Sequence, residues 1–322
     1  MKKIKLLLCL FMLTTLCGCS NSNKNESSKT LNAAMFWIST SLDPTNNYDG
    51  WVLSRIGVGE TLLKLNEKYE VEPYLAKSYE QIDDTTWKLT LKDSITFSNG
   101  KKVTGENVKS CLERAFEKNT RAIDYFDLNH VEAKGQDIYL YLNKSSGAIL
   151  NNLCEPLFTI YDASQSEEDI ANHPLCTGPF VVDDFVSEKT IDTSKNKKYY
   201  DGKAKLDHVH FSQVADSDAR VLALQSGEVD LANTIDYSSL KLFRNNKDYQ
   251  VLEVLGPRTN VIYMNNETTF LSDLTIRKAL SYSVNRKSIV KLIGGKEATG
   301  LYSSALPYGD VSNGYSLKPI VF

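Results

Sequence analysis

Residues 86–116 read TWKLTLKDSITFSNGKKVTGENVKSCLERAF, and they carry the strongest structural pattern in the chain. From Trp87 to Lys92 apolar and charged residues alternate, as in a strand with one buried face. Residues 95–100 predict a second strand and a turn. Thr104 then offers an N-cap to a helix whose apolar residues have helical spacing. These residues are Val108, Cys111, Leu112, Ala115 and Phe116. A strand followed by an amphipathic helix predicts a mixed α/β protein.

Strands and helices alternate further along the chain. Residues 138–142 and 177–185 predict strands, residues 216–226 predict a helix that Gly227 ends, and residues 229–232 predict a short strand. Two more helices are predicted after Ser272 or Asp273, and a loop over residues 299–322. A chain of 322 residues is longer than one ordinary core supports, so we expect two or more lobes.

The N-terminus has the pattern of a secretory signal peptide. Lys2, Lys3 and Lys5 precede an apolar run that is too short to span a bilayer, which needs about 20 residues. The run Leu16-Cys17-Gly18-Cys19 resembles the bacterial lipobox, which implies a lipoprotein signal peptide over residues 1–19 and diacylation of Cys19. The alternative is cleavage elsewhere, with Cys19 an incidental thiol. The polar residues 20–30 predict a flexible tether.

Charge and motif content exclude several functions. The formal net charge is −3, and no basic stripe occurs, so the chain is not expected to bind nucleic acid. The sequence contains no GxSxG, HExxH or GxxxxGK pattern. We therefore predict that the protein is not an enzyme and needs no cofactor. Nothing indicates a symmetric interface, so a monomer is expected.

Cysteine and histidine residues suggest no metal site. Cys111, Cys154 and Cys176 follow the tether without CxxC spacing, which favours buried small apolar side chains; a Cys154–Cys176 disulfide stays open. His208 and His210 would share one face of a strand. Two ligands are too few for a metal site, so ordinary strand histidines are the favoured interpretation.

Several short motifs occur in a fixed order. They are Ser41-Leu-Asp-Pro44, Gly59-Glu-Thr-Leu-Leu63, Glu72 to Tyr79, Phe97-Ser-Asn-Gly100, Thr177-Gly-Pro-Phe180, Asn196 to Tyr200, Ser226 to Asp230 and Arg277 to Arg286. Each is weak alone, but their order and distances resemble those of the solute-binding proteins of the dipeptide, oligopeptide and nickel ABC importer family. Tyr79 stands where the family usually has Trp.

This resemblance implies an α/β, two-lobed, periplasmic-binding-protein type II-like fold with an extra subdomain. Residues 31–52 and 177–258 would form the first lobe, with residues 53–176 as an inserted subdomain. Residues 259–322 would begin a second lobe that is incomplete, because family members run further. No residue here can inherit a role from that later segment.

The resemblance also implies a function on the outer face of the cell membrane. The lipid-anchored protein would capture oligopeptides between its lobes and deliver them to an ABC permease and its ATPase subunits. Alternatives are a nickel-chelate or other small-solute binding protein, a peptide-sensing receptor, or a non-functional fragment. Nickel-binding relatives have a cation where this chain has Glu155, and a carboxylate would repel an anionic chelate.

Aromatic residues are the candidate ligand contacts, because binding varied peptides requires roomy, partly aromatic pockets. Phe36 and Trp37 lie on the first strand, and Tyr48 and Trp51 follow the Leu-Asp-Pro motif. Tyr263 and Asn265 lie where the chain would cross into the second lobe. The alternative for any one of these residues is that its side chain packs in the core and does not contact the ligand.

Overall fold

The structure is a computed structural model that describes residues 28–298, 300 and 302–306. The predicted signal peptide, its lipidation residue Cys19 and most of the tether lie outside the described residues, as does most of the predicted C-terminal loop. No helix in the described ranges is both long and apolar enough to cross a membrane.

Strands and helices are numbered in chain order over the described residues. The strands are β1 (Thr30–Met35), β2 (Leu63–Leu65), β3 (Val71–Pro73), β4 (Ala76–Gln81), β5 (Thr86–Leu91), β6 (Leu128–Lys134), β7 (Asp137–Leu142), β8 (Phe180–Val186), β9 (Thr190–Lys195), β10 (His208–Gln213) and β11 (Leu231–Ala232). The helices are α1 (Gly50–Arg55), α2 (Gly105–Lys118), α3 (Ala122–Tyr125), α4 (Ile149–Asn152), α5 (Glu167–Asn172), α6 (Ser217–Ser226), α7 (Leu274–Ser283) and α8 (Arg286–Ile293). Two 3₁₀ turns lie at Pro156–Phe158 and Tyr237–Leu242.

A five-stranded sheet in the order β11-β1-β10-β9-β8 forms one layer. β1 is parallel to β10 and β11, whereas β9 is antiparallel to β8 and β10. The chain leaves this sheet after β1 and returns to it at β8. In between it forms the antiparallel sheet β4-β5-β7-β6 and the pair β2-β3. The mixed α/β fold class predicted from the sequence is confirmed.

Helix α2 packs against β6 and β7. Its N-cap is Thr104: the N–H of Asn107 donates to Thr104 Oγ1, and the N–H of Thr104 donates to Asn107 Oδ1 at 2.9 Å. This capping box satisfies two N–H groups that a helix start leaves without partners. The predicted residues Val108, Cys111, Leu112 and Ala115 are buried, and Phe116 is half-buried. The predicted helix and its buried face are confirmed.

Three predicted strands differ in extent from the structure. Residues 95–100 form no regular strand; the bridge between Thr96 and Lys102 spans a turn in which Gly100 has a φ of +92°. Because the turn is tight, the extended chain on either side is too short to form a series of hydrogen-bonded strand pairs. The strand predicted to begin at residue 177 begins at Phe180, because Pro179 has no N–H to donate. β11 is only two residues long.

One hydrophobic core joins the two larger sheets. It contains Met35 of β1, Val182 of β8, Leu89 of β5 and Leu140 of β7, all of them buried. Side chains from both sheets and from α2 therefore pack in one contiguous cluster. The predicted division into a first lobe and an inserted subdomain stays a prediction.

Several of the sequence motifs meet around the buried carboxylate of Glu60, which is 2% exposed. Thr177 Oγ1 donates to it at 2.7 Å and the Tyr199 hydroxyl donates at 3.0 Å. Burial and then the charge of Glu60 raise the pKa of Tyr199, so its hydroxyl stays a donor. A Cβ at Gly178 would lie 2.5 Å from two carbonyl oxygens of the opposing loop. These motifs hold the fold together.

The three cysteines of the described residues are free. Cys111 and Cys176 are buried, and the Cys111 thiol donates to the carbonyl oxygen of Tyr161 at 3.1 Å. Burial raises the pKa of Cys111 to about 12, and that of the half-buried Cys154 likewise. Thiols with such pKa values are poor nucleophiles. The side chains act as small apolar groups, and Cys154 and Cys176 are not bonded to each other.

The chain after Phe243 is the least buried part of the described residues. None of its described residues is buried, and residues 251–262 form no strand. Helix α7 begins after the predicted N-cap Asp273 and α8 ends before Gly294, yet neither helix has a buried residue. The predicted start of a second lobe at residues 259–322 stays a prediction.

Candidate functional site

The carboxyl ends of the parallel strands β1, β10 and β11 lie at one edge of the five-stranded sheet. Ligands of open α/β sheets bind outside such an edge. Phe36 follows β1 directly, its N–H donates to Asn233 Oδ1 at 3.0 Å, and its side chain is exposed. Trp37 is half-buried and packs against the core. Of these two predicted ligand contacts, only Phe36 has a solvent-exposed ring at this edge of the sheet.

Helix α1 presents Trp51 and Arg55 on one face, because residues four apart in a helix are neighbours. The Arg55 guanidinium carbon lies 5.6 Å from the centroid of the Trp51 ring and 5.6 Å from that of Phe36. Cation–π attraction therefore holds the guanidinium between two predicted ligand contacts.

Glu155 lies beside α1, where the indole Nε1 of Trp51 donates to its Oε1 at 2.9 Å. The helix sits closely on the 3₁₀ turn that follows Glu155. A Cβ at Gly50 would lie 2.3 Å from the carbonyl oxygen of Pro156, so this approach requires glycine. The tight packing fixes the distance between Trp51 and Glu155.

Arg121 lies beside Tyr48 and Tyr125. Its guanidinium carbon is 3.7 Å from the centroid of the Tyr48 ring, and its Nη2 donates to the Tyr125 hydroxyl at 2.7 Å. Burial and then the charge of Glu155 raise the pKa of Tyr125 to about 12, so the hydroxyl stays neutral. We call Phe36, Tyr48, Trp51, Arg55, Arg121, Tyr125 and Glu155 the aromatic–arginine cluster.

The loop that carries Tyr48 is fixed by a buried ion pair beneath it. Arg114 donates to both carboxylate oxygens of Asp43, at 2.9 and 2.7 Å. Burial alone would raise the pKa of Asp43, but the hydrogen bonds from Arg114 and neighbouring groups hold it below its usual value. Asn119 Nδ2 also donates to the carbonyl oxygen of Asn47 at 3.1 Å. Tyr48 therefore projects from an anchored turn.

Two arginines of this cluster are not in ion pairs. Within the described residues, Arg55 and Arg121 have no carboxylate within 4 Å, whereas Arg114 beneath the Tyr48 loop pairs with Asp43 and Glu167. Partial burial and then the charge of Arg258 lower the pKa of Arg55. The cluster can thus receive an anionic group.

The two remaining predicted contacts lie in the least buried part of the chain. Tyr263 is 90% exposed. Asn265 Oδ1 accepts a hydrogen bond from the N–H of Glu267 at 3.0 Å, which forms a local turn. Their role in ligand binding stays a prediction.

The described residues contain no group of three or more His, Cys, Asp or Glu side chains that could hold a metal ion. His208 and His210 lie on β10 as expected, and His210 Nδ1 is 2.7 Å from Asp192 Oδ1.

Arg55 and Arg121 are candidate site residues that the sequence analysis did not name. Each lies four residues from an aromatic partner on a short helix: Arg55 after Trp51, and Arg121 before Tyr125. This spacing was visible in the sequence, but the helices are too short to show a periodic pattern. Arg55 and Phe36 are far apart in the sequence, so their contact cannot be predicted from the spacing of neighbouring residues.

Exposed aromatic rings and arginine side chains at the carboxyl ends of parallel strands suit the binding of a small solute. The sequence matches the family of bacterial extracellular solute-binding proteins, family 5 middle, over residues 70–318, and the chain belongs to this family. The resemblance drawn from the motifs is thereby confirmed.

Two curated relatives are named for the solutes that they bind. The chain is 32% identical over 296 residues to the nickel-binding protein NikA of Staphylococcus aureus. This alignment covers 91% of this chain and 59% of NikA. It is 26% identical over 272 residues to the glutathione-binding protein GsiB of Escherichia coli O1:K1. That alignment covers 80% of this chain and 53% of GsiB. The chain thus spans less than two thirds of the length of these relatives.

Solved structures show the same fold. NikA from Staphylococcus aureus, in complex with Ni(L-His)2, matches with a TM-score of 0.78 at 32% identity, over 87% of this chain and 60% of that one. The nickel ABC transporter structure from Bacillus halodurans matches with a TM-score of 0.72 at 29% identity. The match covers 87% of this chain and 59% of the Bacillus halodurans chain.

Proposed function

We propose that this chain is the extracytoplasmic, lipid-anchored solute-binding component of an ABC importer. It captures a small solute that carries carboxylates and delivers it to a permease driven by ATPase subunits. The observation that carries this proposal is the aromatic–arginine cluster, which presents unpaired guanidinium groups at the ligand edge of a family 5 fold. No covalent chemistry is required of any residue.

A nickel chelate of an amino acid is the first candidate ligand. The 32% identical relative is a nickel-binding protein, and its structure holds Ni(L-His)2. Carboxylates of such a chelate suit unpaired guanidinium groups. Glu155 repels an anionic chelate less than an unpartnered carboxylate would, because it accepts a hydrogen bond from the Trp51 N–H.

An oligopeptide is the second candidate, as the sequence motifs imply. Exposed rings of Phe36, Tyr48 and Trp51 suit side chains of varied shape, and a terminal carboxylate would suit the same guanidinium groups. Glutathione, which the 26% identical relatives bind, is itself a tripeptide.

Thermal unfolding of residues 20–322, which lack the signal peptide and the lipidation residue, separates these candidates. A solute that binds only the folded state raises the midpoint by mass action. We expect a rise with Ni²⁺ plus L-histidine that Ni²⁺ alone does not give; a rise with a tripeptide to pentapeptide mixture would instead support the oligopeptide. No shift with either ligand would contradict solute capture by this chain.

The lipid anchor is tested separately, since Cys19 lies outside the described residues. We expect intact-mass measurement of the membrane-extracted protein to show a diacylglyceryl group on a chain that begins at Cys19. The Cys19→Ser variant should then be found in the soluble fraction. A mature N-terminus elsewhere would contradict the anchor and leave solute binding unaffected.

A further inference from the structure

Arg220 is a buried arginine whose acceptors, within the described residues, are all main-chain carbonyl oxygens. It lies on α6 and is 2% exposed. Nη1 donates to the carbonyl oxygens of Val214 and Ala215 at 2.6 and 2.9 Å. Nε and Nη2 donate to those of Asn233 and Thr234 at 2.9 and 2.6 Å. These bonds supply the acceptors that a buried guanidinium requires.

The two loops that Arg220 joins lie on either side of β1. Residues 214–215 follow β10 and residues 233–234 follow β11, while β1 lies between these two strands in the sheet. One edge of the planar guanidinium bonds to each loop. The side chain therefore connects the carboxyl ends of the strands that flank β1, at the edge of the sheet where Phe36 leaves β1.

Asn233 links this arrangement to the candidate site. Its carbonyl oxygen accepts from Arg220, and its side-chain Oδ1 accepts from the N–H of Phe36 at 3.0 Å. The next residue, Thr234, has a φ of +54°, which a β-branched residue adopts only where its surroundings impose it. The bond from Arg220 to the Thr234 carbonyl oxygen is one such constraint. Loss of Arg220 would therefore release the loop that holds Phe36.

We propose that Arg220 is a positioning residue for solute binding, which joins the loops after β10 and β11 and thereby fixes Phe36 at the ligand edge. Arg220 does not touch the solute, because its side chain is buried and bonded to the main chain. This inference rests on the proposed function and adds a residue that acts through Asn233 and Phe36. A purely structural arginine would stabilise the fold without changing the affinity of the folded protein.

Arg220→Lys is the test variant, because an ammonium keeps the charge but lacks the planar fork that reaches both loops. Calorimetry, at a temperature where the variant is folded, gives the Kd for Ni²⁺ with L-histidine and for glutathione. We expect the Kd of whichever ligand the wild type binds to rise about tenfold, as when the outer partner of a binding residue is lost. In hydrogen exchange without ligand, the Phe36 N–H should lose more protection than the N–H groups of β7.

Leu140→Ala is the matched control, since Leu140 is a buried residue of β7 in the other sheet. It should lower the free energy of unfolding and leave the Kd unchanged. Asn233→Ala serves if Arg220→Lys does not fold. This change removes the acceptor of the Phe36 N–H and keeps the carbonyl group that Arg220 binds, so the Kd should rise similarly. The double variant should bind little more weakly than either single variant, because both changes act on Phe36.

An unchanged Kd in both Arg220→Lys and Asn233→Ala, or a loss of Phe36 protection no larger than that of β7, would overturn the positioning role. Arg220 would then only stabilise the fold, and solute capture would stand. A wild-type chain that binds neither ligand would instead contradict the proposed function. In that case the exchange of the Phe36 N–H still decides whether Arg220 fixes this edge of the sheet.

Discussion

Asp49 is a carboxyl group buried at the start of α1, with 3% of its surface exposed. Burial raises its pKa to about 6; the nearby Asp43 adds to this, and a hydrogen bond from Asn46 opposes it. A raised pKa means that the fold favours the protonated form. The resulting stabilisation is complete below pH 4, the usual range for Asp, and is lost as the pH rises through 6.

We therefore expect Asp49→Asn to stabilise the protein by about 2 kcal/mol at pH 8 and by much less at pH 4. The measurement is urea unfolding at both pH values. Asp84→Asn, at an exposed position, is the control and should change the free energy of unfolding little at either pH. Equal effects of Asp49→Asn at the two pH values would contradict a buried, protonated carboxyl group.

The Asp43–Arg114 pair is the main ion pair beneath the site, and both side chains are nearly buried. Removing one partner of such a pair leaves an uncompensated charge. We expect Arg114→Gln to lower the free energy of unfolding by about 3 kcal/mol at pH 7. Since the pKa of Asp43 is held low, this loss should persist until the pH falls below 4.

The exposed pair Arg244–Glu253 provides the comparison for Arg114. Arg244→Gln should lower the free energy of unfolding far less than Arg114→Gln, because solvent screens a surface pair. Chemical unfolding of both variants at pH 7 makes the test. Similar costs for the two variants would mean that Asp43 and Arg114 are solvated in the folded protein.

Helix α1 depends on the close contact between Gly50 and Pro156. A methyl group at position 50 would overlap the Pro156 carbonyl oxygen and force the helix away from Glu155. We expect Gly50→Ala to destabilise the protein by about 2 kcal/mol and to break the hydrogen bond from Trp51. Thermal unfolding measures the first effect, and tryptophan fluorescence measures the second.

Gly147 is the matched control for Gly50, because a Cβ there would meet no atom within 4 Å. Gly147→Ala should leave both the unfolding midpoint and the fluorescence close to those of the wild type. If Gly50→Ala behaved in the same way, the packing of α1 on the 3₁₀ turn would not be what positions Trp51.

Elements with a long periodic pattern are the ones that could be predicted from the sequence. Helix α2 shows four turns of regular spacing and a capping box, so both its start at Thr104 and its buried face were visible. Helix α1 has six residues, which is too few to show a period. Residues 95–100 alternate like a strand, but the turn at Gly100 leaves them a single bridge.

The site was less predictable than the fold, for a physical reason. Phe36, Tyr48 and Trp51 could be proposed from the sequence, because they are aromatic residues on the first strand or next to the Leu-Asp-Pro motif. Their partners Arg55 and Arg121 reach them through tertiary packing, and nothing in local composition separates an unpaired arginine from a paired one.

Burial divides the molecule into two parts of unequal stability. Buried residues are common up to Phe243 and absent from the described residues after it. Leu252, Ile262, Tyr263 and Leu292 are all at least 70% exposed. Segments with few buried apolar contacts open at low free-energy cost. We expect limited proteolysis of this chain to cut first after residue 243 and to leave a resistant fragment from about residue 28 onward.

Mass spectrometry of the digest identifies the cut sites, and hydrogen exchange gives an independent measure. Strands β5 and β7 should exchange most slowly, and α7 and α8 most rapidly. Early cleavage within residues 63–142, with the later helices protected, would contradict the stability difference.

The core that joins the two larger sheets also limits how this protein can be re-engineered. Met35 and Val182 on one sheet pack in the same cluster as Leu89 and Leu140 on the other. A minimal biosensor made by excising residues 53–176 would expose that cluster to water. Chimaeras between relatives should therefore exchange both sheets together and place their crossover points where no core contact is severed.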